Sequence, residues 1–170
     1  AEVIRFADIS LNSEIETIRC LDEEAAKQNK THKVLLMVDL GDLREGMFYK
    51  DEEAIMAVCD EILKMRHISL FGIGTNLTCY GAIIPKSDNL GLLAQLASRI
   101  ESRFSMKLAM VSGGNSSSLY LIPRRELPAG INNLRLGEAY VVPVTGGVPD
   151  AAKYSRSWST LLDPTTTVRA

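Results

Sequence analysis

Residues 111–119, Val-Ser-Gly-Gly-Asn-Ser-Ser-Ser-Leu, join an apolar run at 108–111 to a segment that can begin a helix. Gly113 and Gly114 allow a sharp backbone turn and a close approach to a ligand. Asn115 and the three serines add donors at the expected helix N-terminus, where free N–H groups and the helix dipole stabilise a phosphate. The stretch therefore fits a phosphate-binding turn. A plain turn followed by a serine N-cap has the same composition, and spacing alone does not separate the two.

Strands and helices alternate on both sides of this turn. Short apolar runs predict strands at residues 7–11, 33–38, 68–73 and 108–111, and a further short strand and loop at 133–139. Helical periodicity predicts one helix that begins with a capping box at Ser13 and Glu16, a second over 51–65, and a third after an N-cap at Ser87. The run at 33–38 is continuously apolar, which is typical of a strand buried on both faces. This alternation predicts an α/β fold with a parallel sheet.

Polar residues follow the end of each predicted strand. They are Asn12, the segment 39–44, Thr75 and Asn76, Asn115 and Ser116, and Arg135 and Gly137. In a parallel barrel the carboxyl ends of the strands share one face, and that face carries the chemistry. We therefore expect these five loops to converge on one mouth.

Composition excludes several classes of protein. The chain has 170 residues, of which 46% are hydrophobic, and a formal net charge of -2, so it has enough apolar residues for one core and no basic field for nucleic acid. No apolar run approaches the ~20 residues of a membrane-spanning helix. Three widely spaced cysteines without a CxxC pair favour reduced thiols in the cytoplasm, and two histidines exclude a histidine-rich metal site.

The five loops taken together resemble a known family. The segments that carry the resemblance are ADISLNSE at 7–14, VDLGDLREG at 38–46, GIGTN at 72–76, GGNSS at 113–117 and LRLGEA at 134–139. They resemble the pyridoxal 5'-phosphate (PLP) barrel of the alanine racemase family, in the branch that contains ornithine racemase. The resemblance implies a partial (β/α)8 TIM-type barrel over residues 1–142, with about five of the eight βα units. Residues 143–170 lie outside the pattern, and their Thr, Ser, Gly and Pro content predicts an irregular tail.

The resemblance also implies roles for individual residues. Arg44 is expected near the phenolic oxygen of PLP and the substrate, and Asn76 beside the pyridine ring, where alanine racemases carry a histidine. Arg135 is expected to donate to the pyridine nitrogen, which stays unprotonated because a guanidinium keeps its proton. The phosphate is expected to bind Asn115 and Ser116, with main-chain N–H groups of Gly137 and Glu138.

The implied activity is racemisation of an amino acid, by removal and return of its Cα proton while it is joined to PLP. The lysine that the family uses to hold PLP lies at the end of its first barrel strand, before the region matched here. The family's C-terminal domain, which completes the site across a homodimer, also lies outside it. We therefore expect this chain alone to be inactive. The alternatives are a PLP carrier or homeostasis protein without turnover, and a non-catalytic remnant.

Two of the candidate residues also have simpler explanations. Arg44 could be an ordinary loop arginine paired with Asp39, Asp42 or Glu45, and Asn76 could be a turn residue that bonds its own backbone. Acidic residues near the expected mouth, among them Glu45, suit a basic amino acid such as ornithine as the substrate. No nucleic acid or membrane partner is expected.

Overall fold

The computed structural model describes residues 1–77 and 83–137. Its helices and strands follow in chain order: α1 (Glu2–Phe6), β1 (Ile9–Asn12), α2 (Ile15–Lys27), β2 (His32–Asp39), β3 (Met47–Phe48), α3 (Glu52–Lys64), β4 (Ile68–Gly74), α4 (Ser87–Phe104), β5 (Met110–Ser112), a 3-10 turn (Ser116–Ser118) and α5 (Leu121–Arg124). The residues predicted in the tail at 143–170, together with Glu138, lie outside the described ranges.

One parallel sheet organises this part of the chain. Its strands lie in the order β1-β2-β4-β5, the short β3 pairs with β2, and every pairing is parallel. Helices α2, α3 and α4 each connect one strand of this order to the next. Because the strands are parallel, their carboxyl ends lie at one edge of the sheet, as the alternation predicted. The α/β fold class is confirmed.

The core forms between one face of the sheet and the helices. On β2, Val34, Leu36 and Val38 are fully buried in this core, together with Ile55 of α3 and Leu93 of α4. Leu35 and Met37, on the opposite face of β2, are also buried. The strand is therefore covered on both sides, as its continuous apolar run predicted.

A β-bulge interrupts the pairing of β2 with β4. Val34 is paired with Leu70, but the next residue, Leu35, is paired with Gly72, so that Phe71 is an extra residue in β4. Gly72 lies against the backbone of β5, since a Cβ there would fall 1.8 Å from the carbonyl oxygen of Met110. Glycine at this position is what lets β4 and β5 approach.

Helix starts differ from the predictions. The capping box at Ser13 and Glu16 is not formed, because α2 begins at Ile15 behind Glu14 and no side chain caps it. Ser87 is the first residue of α4 rather than its N-cap; the N–H of the preceding Lys86 donates to Asn89 Oδ1 over 2.8 Å.

The segments after β5 are also shorter than predicted. The expected helix after the glycine turn is a 3-10 turn, followed by the four-residue α5. In place of the strand expected at 133–139, the described part up to Gly137 has an isolated parallel bridge between Ser112 and Asn133. Among the described residues no helix is long and apolar enough to cross a membrane.

Candidate functional site

Arg135 lies at the centre of the candidate site. Its Nη1 donates to Ser112 Oγ at the end of β5 over 2.5 Å, and its Nη2 donates to the Thr75 carbonyl over 2.8 Å and to Asn76 Oδ1. Its main-chain N–H donates to the carbonyl of Gly114 over 2.9 Å. The side chain is half-buried and lines a cavity that is enclosed by α1 and one face of the sheet.

The environment of Arg135 alters its electrostatics. Burial lowers the pKa of the guanidinium from its ordinary value, and the negative charge of Glu45 acts in the opposite direction. An arginine remains protonated even so, because its ordinary pKa is very high. The site therefore contains a permanent positive charge. Some of the N–H groups of the guanidinium already donate to residues at the edge of the sheet.

Asn76 connects Arg135 to the loop after β2. Its Oδ1 accepts from Arg135, and its Nδ2 donates to Glu45 Oε1. Arg44 Nε lies 3.7 Å from the same carboxylate oxygen, so the arginine is paired with Glu45, one of the three partners considered from the sequence. Asn76 is thus more than a turn residue, because its side chain bonds residues that lie 31 and 59 positions away.

The loop after β5 is held by Asn115. Its Oδ1 accepts from the main-chain N–H of Ser117 over 3.0 Å, and its Nδ2 donates to the carbonyl of Leu77 over 3.1 Å. This second bond ties the turn after β4 to the turn after β5. Asn115 therefore shapes the site through the backbone.

Ser116 and Gly137 meet at the same edge. The N–H of Gly137 donates to Ser116 Oγ over 3.2 Å, although 21 residues separate the two in the chain. Gly114 has a φ of +111°, a conformation that favours glycine, and it turns the chain toward this serine. A hydroxyl and a main-chain N–H side by side are donors of the kind that bind an anion.

The structure thus joins Arg44, Asn76 and Arg135 in one network, and Ser116 and Gly137 in a second contact on the same rim. Glu138 lies outside the described residues. Ser112 was not predicted as a site residue, although a polar residue closing an apolar run was a signal for it. Glu45 was expected near the mouth, but not as a partner of Asn76. Within the described ranges, no group of three or more His, Cys, Asp or Glu residues is arranged to hold a metal ion.

Sequence comparison places most of the chain in one family. The family described as "Alanine racemase, N-terminal domain" matches residues 5–142. Two curated relatives match over 141 residues: ornithine racemase of Acetoanaerobium sticklandii with 51% identity, and lysine racemase of Thermotoga maritima with 36%. In both matches 83% of this chain is covered, but only 39% and 38% of the relatives, so the chain spans about two fifths of their length.

Solved structures share the fold. PipY of Synechococcus elongatus, solved with PLP bound, is similar with a TM-score of 0.62 at 18% identity, over 80% of this chain and 61% of that one. Alanine racemase of Clostridium difficile 630, in complex with cycloserine, is similar with a TM-score of 0.56 at 19% identity, over 80% and 37%. At these identities the likeness concerns the fold alone. The sequence match and the parallel sheet agree on one conclusion: the chain belongs to the alanine racemase N-terminal domain family.

Proposed function

We propose that this chain is part of a PLP-dependent amino-acid racemase of the ornithine/alanine racemase type. The names of the two curated relatives, ornithine racemase and lysine racemase, support this activity. The observation that carries the proposal is that Arg135 and Ser116 lie at the same edge of the sheet, each bonded to a separate loop of that edge. An arginine at one point of this edge, and a hydroxyl with a main-chain N–H at another, suit a molecule with both a ring acceptor and a phosphate.

The donors present fit PLP. Ser116 would hold the phosphate together with the N–H of Gly137, which would turn to it from Ser116 Oγ, and Arg135 would donate to the ring nitrogen. Of the five guanidinium N–H groups, the bonds described use one on Nη1 and both on Nη2. The Nε–H and the second Nη1 N–H have no partner among the described residues, which leaves them for an acceptor.

When bound, PLP supplies an electron-withdrawing ring that makes the Cα proton of an amino acid more acidic. Arg135 would keep its own proton and so hold the ring nitrogen as an acceptor. Arg44, exposed at the end of its loop, would lie on the substrate side. Asn76 would stay beside the ring, because its amide is fixed at both ends.

The relatives' names point to a substrate with a second amino group. Ornithine and lysine both carry a distal ammonium, and alanine does not. Two acidic residues, Asp42 and Glu45, lie in the loop that ends β2, where they would favour a cationic side chain. We propose a basic amino acid as the substrate class.

The test is a chimera. The matching 141 residues of the Acetoanaerobium sticklandii ornithine racemase are replaced by those of this chain, and conversion of L-ornithine to D-ornithine is followed by chiral chromatography. We expect racemisation by the chimera and its loss in the chimera carrying Arg135→Leu. PLP binding without racemisation would favour a carrier, and absence of PLP binding by a folded chimera would overturn the proposal. The unmodified relative is the control.

A further inference from the structure

Glu45 lies between the two arginines of the site. Its Oε1 is 3.7 Å from Arg44 Nε and accepts from Asn76 Nδ2, and Asn76 Oδ1 in turn accepts from Arg135 Nη2. The four side chains form a continuous series of charged and polar groups. They come from three separate parts of the chain: the loop after β2, the turn after β4, and the segment that follows β5.

The two charges allow the Asn76 amide only one orientation. Its oxygen accepts from the guanidinium, and its NH2 donates to the carboxylate. In the reversed orientation the NH2 would face the N–H groups of Arg135, and the oxygen would face the oxygen of Glu45. Both contacts would then be repulsive. Glu45 and Arg135 together therefore select the orientation in which Asn76 is an acceptor for Arg135.

The same arrangement restricts the guanidinium. Asn76 and the Thr75 carbonyl take the N–H groups on Nη2, and Ser112 takes one on Nη1. The plane of the guanidinium is thereby held at both of its terminal nitrogens. If Asn76 turned over, Arg135 would lose an acceptor on Nη2 and could rotate about its side chain. The direction of the remaining N–H groups of Arg135 therefore depends on the carboxylate of Glu45, to which Arg135 is not hydrogen-bonded.

We propose that Glu45 is a positioning residue, which orients Asn76 and through it aims Arg135 at the ligand. The part of this inference that concerns the ligand rests on the proposed function, in which Arg135 meets the ring of PLP. The part that concerns the side chains stands on their geometry alone. Glu45 itself need not touch the cofactor.

The experiment exchanges the amide and the carboxylate. Three variants of the full 170-residue chain are compared with the wild type: Glu45→Ala, Asn76→Asp, and the double variant Glu45→Gln with Asn76→Asp. Asn76→Asp alone places two carboxylates together, so it should disturb the site. In the double variant an aspartate accepts from Arg135 and a glutamine amide donates to that aspartate, so the series of donors and acceptors is restored.

Two readouts are used, one of which needs no ligand. The first is the solvent exchange rate of the Arg135 Nε–H and, where Asn76 is retained, of its side-chain amide, measured by 15N NMR. The second is the dissociation constant for PLP, from its absorbance. We expect Glu45→Ala to speed exchange and to weaken PLP binding by about tenfold each, the effect of losing one charge-assisted hydrogen bond. Relative to Asn76→Asp, the double variant should recover most of the PLP affinity and most of the protection of the Arg135 Nε–H from exchange.

Glu53→Ala is the matched control. Glu53 is an exposed glutamate on α3, which lies 3.9 Å from Arg103 and away from the site. It should leave both readouts unchanged, and thermal unfolding confirms that each variant is folded. If folded Glu45→Ala changes neither readout, or if the double variant is no better than Asn76→Asp, the inference is overturned.

The two proposals fail differently. If the wild-type chain does not bind PLP, the claim that Arg135 of this chain is aimed at PLP is overturned, whereas the proposed function is decided by the chimera. The NMR readout still decides whether Glu45 orients Asn76 and Arg135. If exchange changes but PLP affinity does not, the role toward the ligand is overturned while wild-type PLP binding stands.

Discussion

The carboxylate of Asp39 accepts a hydrogen bond from the main-chain N–H of Gly41 over 2.8 Å. The same Oδ1 accepts from the N–H of Leu43 over 3.1 Å. Asp39 is the last residue of β2 and is 7% exposed, so its carboxylate ties the start of the loop to the end of the strand. Arg44 and Glu45 follow directly, and their positions depend on this turn.

Replacing Asp39 tests that anchor. Asp39→Ala leaves two main-chain N–H groups without their acceptor, and we expect it to lower the free energy of unfolding by about 1–3 kcal/mol. Asp39→Asn keeps an oxygen at the same place and should lose less. Urea denaturation followed by circular dichroism measures both. Equal losses in the two variants would show that the oxygen is not what holds the loop.

Gly46 ends the same loop and tolerates no side chain. Its φ is +103°, and a Cβ there would lie 2.8 Å from the carbonyl of Met37. We expect Gly46→Ala to destabilise the fold by about 1–3 kcal/mol, from backbone strain and overpacking. Thermal unfolding gives the change in Tm.

Gly91 provides the control for this substitution. It lies within α4, and a Cβ at this position would have no heavy atom within 4 Å apart from its chain neighbours and the adjacent helix backbone. Alanine has the higher helix propensity, so Gly91→Ala should stabilise by about 0.5–1 kcal/mol. If Gly46→Ala and Gly91→Ala lowered the Tm by similar amounts, the predicted difference between the two glycine positions would be wrong.

His32 makes stability depend on pH. It is 3% exposed, its Nε2 lies 2.9 Å from Ser10 Oγ, and burial lowers its pKa, with a smaller opposing effect of Asp8. Because the folded-state pKa is below the unfolded value of about 6.5, the unfolded chain binds the proton first on acidification. Stability should therefore fall as the pH falls through about 6.5, until the folded-state pKa is reached. In His32→Asn, urea denaturation at several pH values should show a smaller slope in this window.

Two of the three cysteines, Cys20 and Cys59, should differ in reactivity. Cys59 is fully buried in α3, and burial raises its pKa to about 12, whereas Cys20 is exposed. Thiolate is the reactive form, so an alkylating agent at neutral pH should modify Cys20 quickly and leave Cys59 unmodified while the chain is folded. Peptide mapping by mass spectrometry distinguishes the two sites. Fast labelling of Cys59 would indicate that the core opens.

Hydrophobic periodicity predicted the strands and helices that are long enough to show a regular pattern of buried residues. The continuous apolar run of β2 and the helical period of α3 and α4 both appear in the structure because each is long enough to show a pattern. The two-residue β3 has no period and was missed. The capping box failed because α2 begins at Ile15 with Glu14 as its N-cap, so Ser13 lies one residue too early to cap the helix.

The site was predictable only in part. The resemblance selected Arg44, Asn76 and Arg135, and their assembly into one network follows from parallel strand ends that meet at one edge. The bond between Glu45 and Asn76 spans 31 residues, and no local pattern encodes such a contact. The resemblance also selected Asn115, but its hydrogen bonds to the main chain of Leu77 and Ser117 could not be predicted from the sequence.

The bulge at Phe71 sets the side-chain phase of β4. Before the bulge, the even-numbered Leu70 lies in the core beneath the helices. After the bulge, the odd-numbered Ile73 and Leu77 lie in that core, so even-numbered and odd-numbered side chains have exchanged faces of the sheet. Asn76 faces Arg135 for this reason. Deleting one residue at the bulge would reverse the alternation, send Asn76 toward the helices and leave Thr75 opposite the guanidinium. A single inserted residue in β4 thus determines which side chain the chain contributes to the rim after this strand.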